Sequence, residues 1–516
     1  MTALKNTFYQ RKISVISILL ATILIFAGFF RLYNLRGSLQ FQGDQGRDAI
    51  IVAKMFLERD MVFIGPVTSV GNMYLGPLYY YFMLPFLFIS FPSPMGPVYA
   101  VAFLGILTVF LTYWLGQEMI GKKASMIAAA FMAFSATATL YSRFSWNPNP
   151  APLVSLLMIY SLFKALKKNV FYWILVAVFF SILIQLHYLT LLSAVALAII
   201  WVWQLISIIK KMRDPLIKKG NINQFIIATF TSVVVVIMSM APLILFDIKH
   251  QGLNAKAFQS LISHKENFTY SEPVSIVQKL AETVAETEGR SMHVLFEITI
   301  GKNRPLNRLL YLSVFVVLAF IVLKRKDRQF FLGEAIVITF LLTGIIGTAF
   351  YQHTIFDHYI AYLFPVTFLI YGIVGNWLCT RIWGKLIVML FALVFLSYNL
   401  PRMPLKSLGW QVDDIERTSQ EILKRVAVGD KYNIVLLSES KDHYGQNYRY
   451  FLVASDKPPV EIENGADADK LFIINEEKKT KDVTGLPIYD LVVFPNKTVK
   501  DFFVIDNGPE ITLLEK

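Results

Sequence analysis

Apolar and polar positions along this chain fall into long blocks, not into the short amphipathic rhythm of a soluble domain. Apolar runs of about 16–22 residues recur from residue 13 to residue 400, close to the length that crosses a bilayer core. The expected spans are 13–32, 97–115, 124–142, 151–164, 170–186, 188–207, 225–246, 308–323, 331–350, 359–378 and 384–400. The first run, "ISVISILLATILIFAGFF", lacks a small-residue cleavage site and reads as a retained helix. The segment "PLYYYFMLPFLFISF" at 77–91 is short and carries Pro85, so it reads as a juxtamembrane or re-entrant helix.

The polar blocks between the runs set an orientation. Without a crossing at 77–91, Lys5, Arg11 and Lys12 lie in the cytoplasm, together with "GKK" at 121–123, "KALKK" at 164–168, "KKMRDPLIKK" at 210–219, "KRKDR" at 324–328 and the Arg381–Lys385 turn. A crossing there would place every later basic loop outside, against the positive-inside tendency. About eleven spans are therefore expected. Loop 33–96, "SRFSWNPNP" at 142–150, His187–Tyr188, the stretch 247–307, "YQHTIFDHY" at 351–359 and everything after residue 400 then face the exterior.

Beyond "NLPRMPLK" the pattern changes. Residues 413–427, "DDIERTSQEILKRVA", have helical periodicity with an acidic start and a basic end, as a helix dipole favours. "YNIVLLSE", "LFIINEE", "YDLVVFPN" and "FFVID" read as short buried strands. The expected organisation is a membrane domain over 1–400 and a small extracytoplasmic α/β domain over 401–516, a structural cap or an acceptor-binding unit. "NFT" at 267 and "NKT" at 496 match the glycosylation tripeptide, a pattern that also arises by chance.

Composition agrees with the blocks: 55% of the 516 residues are hydrophobic and only 16% charged, against about a quarter charged in soluble domains. The net charge of +13 comes mostly from the short basic loops, which the orientation rule explains without a nucleic-acid partner. Cys379 is the single cysteine, so neither an internal disulfide nor a cysteine metal site is expected. No G-x-x-x-x-G-K-[ST] loop signals a nucleotide-driven motor.

The candidate chemistry sits in "FQGDQGRDAIIVAKMFLERD", residues 41–60. Wound as a helix, it places Asp44, Arg47, Asp48, Lys54, Glu58 and Arg59 on one side and Ile50, Ile51, Met55 and Leu57 mostly on the other, an amphipathic helix in the interface plane. On pattern alone, Asp44 serves equally as a helix cap or as a catalytic carboxylate. "NMYLGPLYYYFMLPF" brings Tyr74, Tyr79, Tyr80 and Tyr81 beside it, a Gly-Pro break followed by aromatics at headgroup level.

"GDQGRDA…KM" followed by "YLGPLYYY" resembles the first external loop of GT-C membrane glycosyltransferases, nearest to the protein O-mannosyltransferase and aminoarabinose-transferase branch. "YSRFSWNPNPAPL" after the third span is similar to bacterial members. The resemblance covers 13–400 in topology and 41–82 and 141–152 in motif. It departs from the family at Gln45, where Glu is common, at Asp48, where Tyr is common, and in lacking a lysine before the Pro-Leu run.

The resemblance implies a polytopic α-helical GT-C-like fold in a bacterial or archaeal plasma membrane. The implied activity is inverting transfer of a hexose or pentose from a polyprenyl-phosphate donor to a hydroxyl on a lipid, glycan or protein of the cell envelope. It puts the catalytic base at Asp44 and a donor-phosphate contact at Arg47; Arg143, at the exterior end of a span beside "WNPNP", is the second phosphate candidate. Asp48, Tyr79, Tyr80, Asn147, His353, Asp357, His358 and Tyr359 are the substrate-binding candidates. His187 reads as a satisfied buried histidine. No cofactor is expected; Asp44 and Asp48 would suit a divalent cation only with further acidic ligands. A polysaccharide polymerase or ligase remains the alternative. A transporter is disfavoured because the charges sit at span ends and not at mid-membrane.

Overall fold

The computed structural model describes residues 15–68, 73–212, 220–263, 276–324, 328–351, 354–407, 410–439, 442–478, 482–494 and 497–516. The helical portion runs α1 (Val15–Leu32), α2 (Gly43–Leu57), α3 (Leu78–Ser90), α4 (Met95–Met119), α5 (Lys122–Ala133), α6 (Ala136–Leu140), α7 (Ala151–Lys167), α8 (Tyr172–Leu186) and α9 (Ser193–Met212). It continues through α10 (Gly220–Lys249), α11 (Leu253–Ser263), α12 (Ile276–Met292), α13 (Ile298–Ile300), α14 (Arg304–Lys324), α15 (Arg328–Ala349), α16 (Phe364–Leu378) and α17 (Ile382–Asn399).

Among the described residues, eight helices are long and apolar enough to cross a membrane. Their outward faces carry large apolar side chains such as Ile25, Phe230 and Met238, each about 70% exposed, as lipid contact allows and water does not favour. The chain is an integral membrane protein. The spans expected at 124–142, 151–164 and 170–186 form shorter helices. Ser135 separates α5 from α6 because its hydroxyl accepts from the Ala138 N–H and starts a new helix. α7 has 17 residues and ends in Lys164 and Lys167; α8 has 15. The 77–91 segment forms the 13-residue α3 around Pro85, about 20 Å long and short for a crossing. α16 is the most enclosed span, with every residue from Phe364 to Gly375 buried.

The C-terminal portion adds α18 (Val412–Leu423), β1 (Tyr432–Leu437), α19 (Gln446–Val453), β2 (Lys470–Asn475), α20 (Tyr489–Val493), β3 (Thr498–Val504) and β4 (Glu510–Glu515). The sheet order is β1-β2-β4-β3, with β1 and β2 parallel and the other pairs antiparallel. Ile434 lies opposite Phe472, and Phe472 opposite Leu513. The helix expected at 413–427 is α18, started by a capping box between Gln411 and Asp414.

Two strand expectations need correction. "YDLVV" is α20: Leu491 and Phe494 reach one core at helical spacing, and the buried Asp490 carboxylate accepts from Asn433 at 2.9 Å. β3 begins at Thr498 and is largely exposed, so "FFVID" is not a buried strand; the inner strand of that pair is β4, which the sequence reading omitted.

The sheet unit is fastened to the helices. Arg36 pairs with Asp413 and Glu416, both at 2.6 Å, and Lys54 with Glu461 at 2.6 Å. The Val412 N–H donates to the Leu39 carbonyl, and Tyr450 donates to the Pro92 carbonyl at 2.9 Å. Phe41 packs edge-on against Tyr450 and Phe451, so one apolar core runs from the helices into the C-terminal portion. Such buried aromatic contact fixes the relative placement more firmly than half-exposed ion pairs, each worth about 1 kcal/mol or less.

Candidate active site

α2 starts after extended Gln42, with Asp44 in its first turn, where a carboxylate complements the helix dipole. One turn on, Arg47 and Asp48 return to the same side. The Arg47 guanidinium donates to Asp44 Oδ1 at 2.8 Å, and through Nε and Nη2 to Asp48 Oδ1 at 3.0 and 2.8 Å. Tyr80 on α3 donates to the same Asp48 oxygen at 3.1 Å.

The two aspartates differ in environment. Asp48 is fully buried and, among the described residues, its Oδ2 has no hydrogen-bond partner, whereas the Asp44 side chain is 53% exposed. Burial pushes the Asp48 carboxyl up to about 6, outweighing the pull of Arg47 in the other direction. Burial opposes the Arg47 charge, yet Asp48 and Asp44 together hold its pKa above the ordinary range.

The helix is not the free interfacial helix expected, with its charged side in the headgroup plane. α19 lies along it, and a Cβ on Gly46 would stand 2.4 Å from the Gln446 carbonyl oxygen. Only glycine permits that approach, which brings the C-terminal portion onto the charged side of α2.

Among the described residues, Asp44 borders three cavities. The largest, about 980 Å³, lies between α2 and the C-terminal portion and is bordered by Arg47, Trp410, Asp442 and Glu476. A second, about 300 Å³, is bordered by Gln45, Tyr141, Arg143, Trp146 and Lys406. The third, about 240 Å³, is bordered by Arg47, Asn147, His187, Tyr188, His358 and Tyr359.

The sequence candidates therefore separate. Asp44, Arg47, Asn147, His358 and Tyr359 converge on the cavities. Asn147 is anchored by donating to the Leu186 carbonyl at 2.6 Å, and His358 packs against Trp146 with ring centres 4.4 Å apart. Asp48 and Tyr80 stand behind Arg47, and Tyr79 shares a 2.7 Å hydrogen bond with Ser145. Asp357 turns toward His293, 3.4 Å away, and borders none of the three cavities. His353 and both glycosylation tripeptides, at 267 and 496, fall outside the described residues, wholly or in part.

Arg143 borders the second cavity, but its fork is engaged elsewhere. Nη1 donates to the Phe30 carbonyl at 2.6 Å, and Nη2 to the carbonyls of Tyr33 and Asn34 and to Ser38 Oγ. A guanidinium at the C-terminal end of α1 satisfies carbonyls that the helix itself cannot. Burial lowers its pKa to about 10.

Lys406, Trp410, Asp442 and Glu476 were missed, and His187 borders a cavity as well as being buried. The available signal was weak: "LKSLGW" follows the last span with a cation and an indole, but a charged segment after a membrane domain suggests only a change of environment. Among the described residues, no group of three or more His, Cys, Asp or Glu is placed to hold a metal ion. Asp44 and Asp48 are bridged by Arg47 instead, an arrangement that does not fit a cation between them.

No protein-family model matches the chain, and no curated protein sequence matches it. Solved structures do match. ArnT from Cupriavidus metallidurans, in a crystal structure bound to undecaprenyl phosphate, superposes with a TM-score of 0.56 at 12% identity, over 96% of this chain and 97% of that one. Its apo state gives 0.54 at 11% identity, over the same shares. The archaeal oligosaccharyltransferase AglB from Archaeoglobus fulgidus, in complex with an inhibitory peptide and a dolichol-phosphate, gives 0.51 at 10% identity, over 90% of this chain and 70% of that one. At these identities the likeness is one of fold, and it is the GT-C fold that the sequence resemblance implied.

Proposed function

We propose that this protein is an inverting membrane glycosyltransferase that moves a sugar from a polyprenyl-phosphate donor to a hydroxyl acceptor on the outer face of the membrane. The observation that carries the reading is Asp44: a half-exposed carboxylate, tied to Arg47 at 2.8 Å, that borders all three cavities at once. ArnT bound to undecaprenyl phosphate and AglB in complex with a dolichol-phosphate support a phosphate-bearing lipid as the donor's leaving group.

In this reading Asp44 accepts the proton of the acceptor hydroxyl as its oxygen bonds to the anomeric carbon. The bond from that carbon to the phosphate oxygen breaks, and its electron pair leaves with the lipid phosphate. A single displacement from the opposite face inverts the configuration. The phosphate is already a good leaving group, so the catalytic demand falls on the weak nucleophile; a placed base contributes roughly a hundred- to ten-thousandfold. Arg47, Arg143 and Lys406 are the donor-phosphate groups, Lys406 an exposed residue at the cavity's edge and Arg143 a fixed charge in its wall. Asn147, His358 and Tyr359 line the space for the donor sugar. Asp48 and Tyr80 position Arg47. The same proposal divides the chain into a membrane domain over 1–400 and an extracytoplasmic domain over 401–516, with loops 33–96 and 247–307 external and the N-terminus cytoplasmic.

Incubation of the purified protein with radiolabelled polyprenyl-phosphate sugars and membrane extract tests the reading. Label appearing in a new product with release of lipid phosphate supports it. Uptake of unaltered donor, or a requirement for a diphosphate-linked oligosaccharide, would contradict it.

A further inference from the structure

One buried titratable side chain at the third cavity has no part in the transfer chemistry above. His187 ends α8 in an extended conformation, φ −162° and ψ 133°, and its polar groups fasten the turn that follows. Its backbone N–H donates to the Leu183 carbonyl at 3.0 Å, and its carbonyl accepts from the Thr190 N–H at 3.1 Å and the Thr190 hydroxyl at 2.7 Å. The imidazole Nδ1 accepts from the Leu189 N–H at 3.2 Å.

That last bond sets the tautomer. A ring nitrogen that accepts from an amide carries no proton, so the proton of the neutral imidazole sits on Nε2. Burial pushes the pKa of the ring down to about 3, and the charge of His358 acts in the same direction. His187 therefore stays neutral from about pH 5 to about pH 8, a donor at Nε2 and a base at neither nitrogen. Tyr188 and Tyr359 flank the ring, with centres 4.7 and 4.8 Å away. His187 borders the third cavity beside Arg47, Asn147 and His358, and among the described residues Nε2 makes no hydrogen bond. An N–H fixed in a buried wall is unfavourable until something supplies an acceptor.

We infer that His187 Nε2–H donates to a hydroxyl oxygen of the donor sugar and so sets how the sugar lies against Asp44, an assignment that rests on the glycosyltransferase reading and adds a sugar-recognising residue to it. The same cavity already holds a group suited to phosphate, the Arg47 guanidinium. A neutral N–H brings no charge to a phosphate but matches a neutral hydroxyl, whose oxygen has lone pairs to accept it. With Nδ1 tied to the backbone, the donor is held in place before the sugar arrives, which limits the ordering cost of binding.

Two substitutions separate the two ring nitrogens. Asparagine can offer Oδ1 to the Leu189 N–H but does not reach the cavity; glutamine can place an amide N–H near the Nε2 position but gives up the turn. Isothermal titration of the full-length protein in detergent uses bare polyprenyl phosphate and the polyprenyl-phosphate esters of mannose, glucose and xylose. The parent should bind at least one sugar ester more tightly than the bare lipid. For that ester, His187→Asn should lose about tenfold in affinity while keeping its affinity for the bare lipid and the parent's melting temperature. His187→Gln should melt lower yet stay within about threefold of the parent for the same ester. No preference for any sugar ester, an equal loss on ester and bare lipid, or a glutamine variant as weak as the asparagine one would overturn the inference. Sugar transfer by the parent, measured separately, decides the glycosyltransferase reading, which would survive each of those results.

Discussion

Asp48→Asn separates stability from activity in opposite directions. The ionised Asp48 carboxylate is fully enclosed, its Oδ2 without a hydrogen-bond partner among the described residues, and its pKa stands near 6 against an ordinary 3.8. That difference disfavours the charged form by about 3 kcal/mol. Because the folded pKa lies above the unfolded one, the stability linked to this proton is fully present below the unfolded value and is lost as pH rises through about 6. Asparagine carries no charge to desolvate. The variant should therefore melt higher than the parent near pH 7.5, by up to about 3 kcal/mol, and match it near pH 4. Sugar transfer should fall about ten- to a hundredfold, since Arg47 loses the charged anchor of its Nε and Nη2 and the alignment of Asp44 loosens. Thermal unfolding at the two pH values, read beside transfer rates, checks both halves. A lower melting temperature near pH 7.5 would show that the Arg47 pairing outweighs burial; an unchanged rate would show that Asp48 does not hold Arg47 in place.

Three further substitutions probe the surrounding frame. Gly46→Ala forces a methyl against the Gln446 carbonyl and should cost about 1–3 kcal/mol while lowering transfer; unchanged melting and rate would mean that α2 and α19 need not touch. Arg143→Lys replaces a fork spanning three carbonyls and Ser38 Oγ and should cost about 2 kcal/mol or more, with the donor KM moving less than the melting temperature. A raised donor KM at full stability would instead make Arg143 a direct phosphate contact. Tyr80→Phe removes a hydrogen bond that favours ionised Asp48, so the acid limb of the pH–rate profile should shift to higher pH; an unmoved limb would dissociate Asp48 from the rate.

Much of this was legible because membrane insertion writes itself into local composition. The long spans and the first-loop helix follow from block length and helical spacing, and Asp44, Arg47 and Asp48 share a side because three and four residues make a turn. What escaped was set by distant contacts. Gly46 looks like an indifferent helix glycine until Gln446 lies against it, 400 residues away. The charged side of α2 looked solvated because nothing local announces that the C-terminal portion covers it. Asp357 seemed equivalent to its neighbour His358, yet successive residues in the turn Asp357–Leu363 point apart, one to His293 and one to Trp146. "YDLVV" has strand composition but folds as a helical turn, since Asn433 captures Asp490.

The role of Asp44 is tested most directly by comparing transfer from a polyprenyl-phosphate sugar by the parent protein and by Asp44→Asn, both inserted and melting alike. The amide keeps the shape and one hydrogen-bond acceptor for Arg47 but cannot take the acceptor's proton. Transfer should fall by about a hundred- to ten-thousandfold. A variant that transfers sugar at the parent rate would contradict the assignment of Asp44 as the base.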